Sequence, residues 1–107
     1  MNFEGMWHIK EMEMWDEDYF NMDVQAYIEI ESNGSGNFQF GLVSGNIDGK
    51  TVKYPNGNRF EFSWQGSDEY DPVSGSGWLQ IQDRSQLKGE FRFFEGDDST
   101  FIADKVE

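Results

Sequence analysis

The sequence predicts an all-β chain folded as a single eight-stranded antiparallel up-and-down barrel, and three observations carry that expectation. Apolar residues recur at every second position, as in Asn37-Phe38-Gln39-Phe40 and Arg59-Phe60-Glu61-Phe62-Ser63-Trp64, and no segment carries an i, i+3, i+4 stripe. Turn residues interrupt these runs at short intervals, leaving connections suited to antiparallel neighbours. Gly41, Gly45, Gly75, Gly77 and Gly89 fall inside the runs, where they would weaken a flat sheet but permit the bends of a closed one. Closure also removes exposed sheet edges. A two-sheet β-sandwich is the alternative, but it usually needs longer crossing connections than this chain has.

The elements follow in order. The first strand is expected over 5–15, followed by a longer connection near 16–23. Val24-Gln25-Ala26-Tyr27-Ile28-Glu29-Ile30-Glu31 alternates as a second strand (24–31) and ends at the polar turn Ser32-Asn33-Gly34-Ser35. The third strand is read over 36–47, with Asp48-Gly49 as a hairpin turn, and the fourth over 50–54, with Asn56-Gly57 as the next turn. Strand five is expected over 58–65, and a second long connection over 66–73 holds Pro72. Strands six (74–82), seven (87–94) and eight (99–105) are separated by Asp83-Arg84-Ser85-Gln86 and Glu95-Gly96-Asp97-Asp98. The 107 residues form one domain, 1–107, with no linker and no internal repeat.

Composition narrows the function classes. Twenty-one acidic against eight basic residues give a formal charge of −13. Affinity for a phosphate backbone comes from clustered Lys and Arg, so nucleic acid is not an expected partner. An anionic membrane surface would repel the chain, and no apolar run approaches the length of a spanning helix. No cysteine is present for a disulfide, a thiol nucleophile or a zinc site, and no signal peptide opens the chain, so a cytoplasmic setting is expected. Ten Phe, four Trp and four Tyr are core-building residues that exclude disorder.

Gly5-Met6-Trp7 opens the first strand of this meander. A Gly-x-Trp at that position resembles the calycin superfamily, which includes lipocalins, fatty-acid-binding proteins and avidins. The resemblance implies that Trp7 plugs the closed end of the barrel beneath a basic side chain from the last strand. Lys105, on the same face as Phe101 and Ala103, is the residue placed to supply it, so Gly5, Trp7 and Lys105 are the expected closure set. More narrowly, segments 13–19 and 64–69 look like parts of a family of small uncharacterised bacterial proteins.

An up-and-down meander places alternate loops at alternate poles. One pole would gather Asp16, Glu17, Asp18 and Asp23, then Asp48, then Asp68, Glu69 and Asp71, and finally Glu95, Asp97 and Asp98. Only Asp83 is expected in the opposite loops. Trp15, Tyr19, Phe20, Trp64 and Tyr70 accompany the acidic set, and carboxylates beside aromatic faces suit a cationic ligand or basic peptide.

Catalytic and metal chemistry find less support. Asp16-Glu17-Asp18-Tyr19-Phe20-Asn21 lacks the oxygen ligand and glycine of an EF-hand loop at its fifth and sixth positions. A calcium site would therefore have to be assembled from several loops, and no metal ligand is assigned. Strict alternation from Trp7 would carry Ile9, Glu11, Glu13 and Trp15 inward and bring two carboxylates together as a glycosidase-like pair. A bulge would instead turn Met12 and Met14 inward and leave both glutamates in water. The single histidine, His8, alternates to the outside, and Arg59 and Arg92 are expected in cross-strand pairs with acids.

Nine expected inward residues are aromatic, which makes a filled interior at least as strong an expectation as a hollow one. The leading functional expectation is a non-catalytic binder of a small, cationic ligand or peptide at the acidic pole, requiring no cofactor. Its candidate contacts are Glu11, Trp15, Asp16, Asp18, Tyr19, Trp64, Asp68, Glu69 and Tyr70. The alternatives are an interaction module docking a basic protein, as a nucleic-acid mimic does, and a hydrolase built on Glu11 and Glu13.

Overall fold

The computed structural model describes residues 3–106. Eight strands run β1 (Gly5–Met12), β2 (Tyr27–Ile30), β3 (Ser35–Phe40), β4 (Val43–Tyr54), β5 (Gly57–Asp68), β6 (Asp71–Asp83), β7 (Gln86–Phe93) and β8 (Asp98–Lys105), with one short helix, α1 (Glu17–Phe20). Each strand pairs antiparallel with its successor, and β8 returns to β1 through Trp7↔Lys105 and Ile9↔Ala103. The sheet is a closed up-and-down barrel, not a sandwich. Among the described residues no helix is long and apolar enough to cross a membrane.

Several boundaries differ from the sequence expectation: β1 ends at Met12 and β2 begins at Tyr27, and the β3–β4 and β5–β6 turns are displaced by contacts from other elements. The β3–β4 turn falls at Gly41-Leu42, where Gly41 adopts φ 59° and Phe40 pairs with Val43. Asp48 and Gly49 therefore lie inside β4, opposite Ser63 and Phe62. Gly49 serves packing rather than turning: a Cβ there would lie 2.7 Å from both the Phe60 ring and Phe62 Cβ. The expected 66–73 connection contracts to a two-residue hairpin, Glu69-Tyr70, between paired Asp68 and Asp71. Glu69 takes φ 61°, an uncommon backbone state for a residue with a side chain.

Strand β1 contains the phase change that decides its carboxylates. Its register with β8 slips between Ile9 and Glu11, leaving Lys10 as the extra residue of a bulge. Trp7 and Ile9 face inward before the slip and Met12 after it, while Glu11 and Glu13 are exposed. The inward acid–base pair is thereby not formed. Met14 also stays outside, so only Met12 of the two methionines enters the core.

Aromatic rings occupy the interior. Phe91 lies at their centre, with ring centroids 4.7 Å from Phe38, 4.9 Å from Phe101, 5.2 Å from Phe40 and 5.9 Å from Phe62. Glycines on adjacent strands make room for this bulk. The Phe62 ring covers Gly77 and the Phe101 ring covers Gly89, so that a Cβ at either glycine would lie 2.6 Å from ring carbon. Offset and edge-on ring contacts of this kind each stabilise by about 0.5–1.5 kcal/mol beyond area burial.

Candidate functional site: the acidic pole

The meander places the β1–β2, β3–β4, β5–β6 and β7–β8 connections at one pole, and the other three with both chain ends at the opposite pole. The β1–β2 connection is organised by α1. Asp16 caps it in extended backbone, and its Oδ1 accepts a hydrogen bond from the Tyr19 N–H at 3.1 Å. Glu17 and Asp18 occupy the first turn, where a negative charge suits the exposed N–H groups. Phe20, at the other end, is buried in the core.

This helix seals the barrel. Tyr19 lies across the β3–β4 turn, close enough to Gly41 that no Cβ fits there, and its hydroxyl accepts from the Leu42 N–H at 3.4 Å. Gly41 N–H in turn donates to Phe20 O at 2.8 Å. Trp15, half-buried beneath, stacks on Tyr19 at 6.0 Å and meets Phe40 at 5.2 Å. The rest of the connection is held by Asn21 Oδ1, which accepts from the Ala26 N–H, and by Gln39 Nε2, which donates to Asp23 Oδ2 at 2.8 Å.

The structure sorts the candidate residues into three places. Asp16, Asp18, Asp68, Glu69 and Tyr70 stand exposed at the pole. Trp15 and Tyr19 form the lid under them. Trp64 is not on the rim: it is buried, its indole N–H donates to Ser76 O at 3.2 Å, and its ring lies 5.0 Å from Phe93. Glu11 belongs to the outer wall of β1, away from the pole, because of the Lys10 bulge. Asp48 leaves the acidic set for the middle of β4, Asp83 closes β6 at the opposite pole, and Glu31 lies in the β2–β3 connection there. Ten of the eleven carboxylates first assigned to this pole remain there, all exposed, and residues 13–26, 41–42, 68–71 and 94–98 contain no Lys or Arg.

Tyr70 was expected at this pole, but the other exposed apolar side chains there escaped sequence reading. Tyr70, at the tip of the β5–β6 hairpin, is 93% exposed and Phe94, at the base of the β7–β8 connection, 69%, and Met14, Met22 and Val24 are exposed on the β1–β2 connection. Phe94 had a signal: alternation that turns Phe93 inward must turn its neighbour out. Most of the exposed large apolar side chains of the described residues thus share one pole with the carboxylates. No three Asp, Glu or His side chains among the described residues converge to hold a metal ion.

The remaining polar chemistry lies on the outer wall. The Arg59 guanidinium sits 4.0 Å over the Trp78 ring, whose N–H donates to Glu90 Oε1 at 3.0 Å. Arg92 reaches the same Glu90 at 3.0 Å along its own strand, not across strands as expected. Tyr54 donates to Glu61, a bond that pushes the phenol pKa up. At the opposite pole Trp7 is buried, its indole N–H donates to Phe3 O at 2.9 Å, and Lys105 Nζ stands 5.3 Å from the ring centroid.

Comparison of the chain with protein-family models, with curated proteins and with solved structures returned no match.

Proposed function

We propose that this barrel is a non-catalytic docking module whose acidic pole binds a basic protein segment carrying apolar side chains. The observation that carries the reading is the pair Tyr70 and Phe94, rings standing in solvent among ten carboxylates with no cation in any of the four connections. Exposed apolar groups rimmed by charge mark interaction surfaces. Aromatic rings supply rigid anchors at such surfaces, and a field of one sign steers a partner of the other. Lysine and arginine side chains would also find the faces of Tyr70 and Phe94 as cation sites.

The aromatic filling of the interior favours a protein or peptide over a small ligand held inside the barrel at this end, since Trp15, Tyr19 and Phe20 close it. Kinship with the calycins belongs to the same reading and rests on Gly5, Trp7, Lys105 and the meander, while kinship with small uncharacterised bacterial proteins rests on segments 13–19 and 64–69. A cytoplasmic setting belongs to it too, on the cysteine-free composition.

The test is titration of the protein with a synthetic peptide of alternating Lys and Leu residues, followed by calorimetry at several salt concentrations. Binding should weaken about tenfold or more between 50 and 300 mM NaCl. It should also weaken at least about tenfold in Tyr70→Ser/Phe94→Ser, truncations of the hot-spot kind. Salt-independent binding, or binding unchanged in the double variant, would refute the proposal.

A further inference from the structure

At the pole opposite the acidic one, the barrel wall divides. The pairing of β5 with β6 ends at Phe60↔Leu79. Beyond it Gly57–Arg59 remain paired to β4, and Gln80–Asp83 run on beside β7, without facing one another in the ladder. The gap between them is a cleft of about 430 Å³ that reaches inward to Trp7 and Phe3. That volume lies within the range of about 300–1,000 Å³ typical of small-molecule sites.

The lining has two chemical halves. Phe3, Trp7 and the half-buried Ile81 make the deep side apolar. The rim carries the side-chain amides of Asn56, Asn58 and Gln80, together with two cations, Arg84 and Lys105. The Arg84 guanidinium makes no hydrogen bond or ion pair with another described residue, although its charge acts on the neighbouring Asp83 carboxylate. Lys105 Nζ makes only a long 3.5 Å bond to Glu4 O beside its contact with the Trp7 ring. Asp83 is the one carboxylate on the rim, and its Oδ1 is already engaged by the Ser85 N–H at 2.8 Å and the Ser85 hydroxyl at 3.1 Å.

We infer that this cleft binds a small organic carboxylate, its compact apolar body against Ile81 and the edges of Phe3 and Trp7 and its anionic group between Arg84 and Lys105. Two cations with spare donors at one mouth are unusual in a chain of charge −13, and a carboxylate is a group that their charge and donors accept. Three amides nearby satisfy further polar substituents in either sense, because each both donates and accepts. The acidic pole does not oppose entry. The molecule extends 37 Å in its longest dimension, and the screening length at physiological salt is only about 8 Å. This site is independent of the docking surface at the other pole.

The probe is 3-phenylpropionate, with the matching uncharged alcohol as control, followed by amide and indole N–H shifts in nuclear magnetic resonance titrations. Saturable shifts should appear at the side-chain amides of Asn56, Asn58 and Gln80 and at the Trp7 indole N–H. The alcohol should bind about tenfold or more weakly, as should the acid to Arg84→Ala, since each loses a charge-assisted bond. Arg84 lies in an exposed turn, so this variant should keep the parent unfolding temperature, and Lys105→Met supplies a second one. No saturation by about 10 mM, equal binding of acid and alcohol, or binding unaffected by both variants would overturn the inference.

Discussion

Replacing Gly89 with alanine tests whether the glycines of the strands are there for packing. Gly89 sits in β7 directly opposite Phe101 of β8 and Leu79 of β6. A Cβ added to it would lie 2.6 Å from Phe101 Cζ and 2.5 Å from the Trp78 carbonyl oxygen. The two effects of Gly89→Ala have opposite signs. Restricting the unfolded chain favours alanine in a strand by about 0.5–1 kcal/mol. Overpacking a filled core costs about 1–3 kcal/mol. Phe101 has little freedom to withdraw, because its ring stacks on Phe91 at 4.9 Å. The net expectation is destabilisation by about 1–2 kcal/mol, which for a domain of this size lowers Tm by about 5–15 °C. Thermal unfolding followed by circular dichroism measures it, and Phe101→Leu supplies the cycle: in that background the alanine should cost about 1 kcal/mol less. A Tm that rises or stays unchanged in Gly89→Ala would refute the claim that the Phe101 ring requires this glycine.

Three further outcomes are expected. Phe91→Ala removes the ring at the centre of the core and should cost about 3–5 kcal/mol, a large share of a typical domain's stability, read as a lowered urea midpoint; a loss under about 1 kcal/mol would mean the rings are not mutually supporting. Asp16→Ala deletes the bond to the Tyr19 N–H and should cost about 1 kcal/mol, with hydrogen exchange quickening in residues 16–23 but not at the opposite pole. Uniform exchange changes would instead show that α1 is not a local unit. The Ser85 N–H, and secondarily its hydroxyl, hold the Asp83 carboxyl below its ordinary range. A lowered folded pKa contributes stability above the unfolded value near ~3.9 that is lost as pH falls through the folded one. The stability gap between the parent and Asp83→Asn should therefore be level from pH 7 to 5 and narrow below about pH 4, and a pH-independent gap would contradict it.

Most of the fold was legible in the sequence because period-two patterning and short polar turns are local signals. The errors arose where a local signal had a non-local cause. Asp48-Gly49 has the composition of a hairpin turn, yet Gly49 is small because Phe60 and Phe62 of the next strand occupy the space of its side chain. Gly41-Leu42 does not look like a turn, and becomes one because Tyr19 and Phe20 of α1 fold over it. The Lys10 bulge is not encoded by any turn residue; it was visible only as a choice between burying Glu11 or Met12, which desolvation decides for the methionine. Trp64 was expected to face inward, as it does, but was placed too near the rim. Its strand was read as ending at residue 65, whereas β5 continues to Asp68 and carries the indole well below the rim. The exposed carboxylates of the pole were readable because turn position needs no tertiary information. Tyr70 was placed among those loops too, but the tight Glu69-Tyr70 hairpin that holds its ring out was not legible.

The β1–β8 seam gives the molecule a vulnerable interval each time it is made. The strand that closes the barrel follows the other seven in chain order, and leaves the ribosome only after the roughly 100 residues that separate the partners have taken roughly 5–20 s to be synthesised. Until then β1 presents an unpaired edge, the kind of template on which chains aggregate. That edge bears Lys10, Glu11 and Glu13, charged side chains that make it a poor partner for a second copy. The same charges that stand in solvent on the finished wall would protect the edge until β8 covers it.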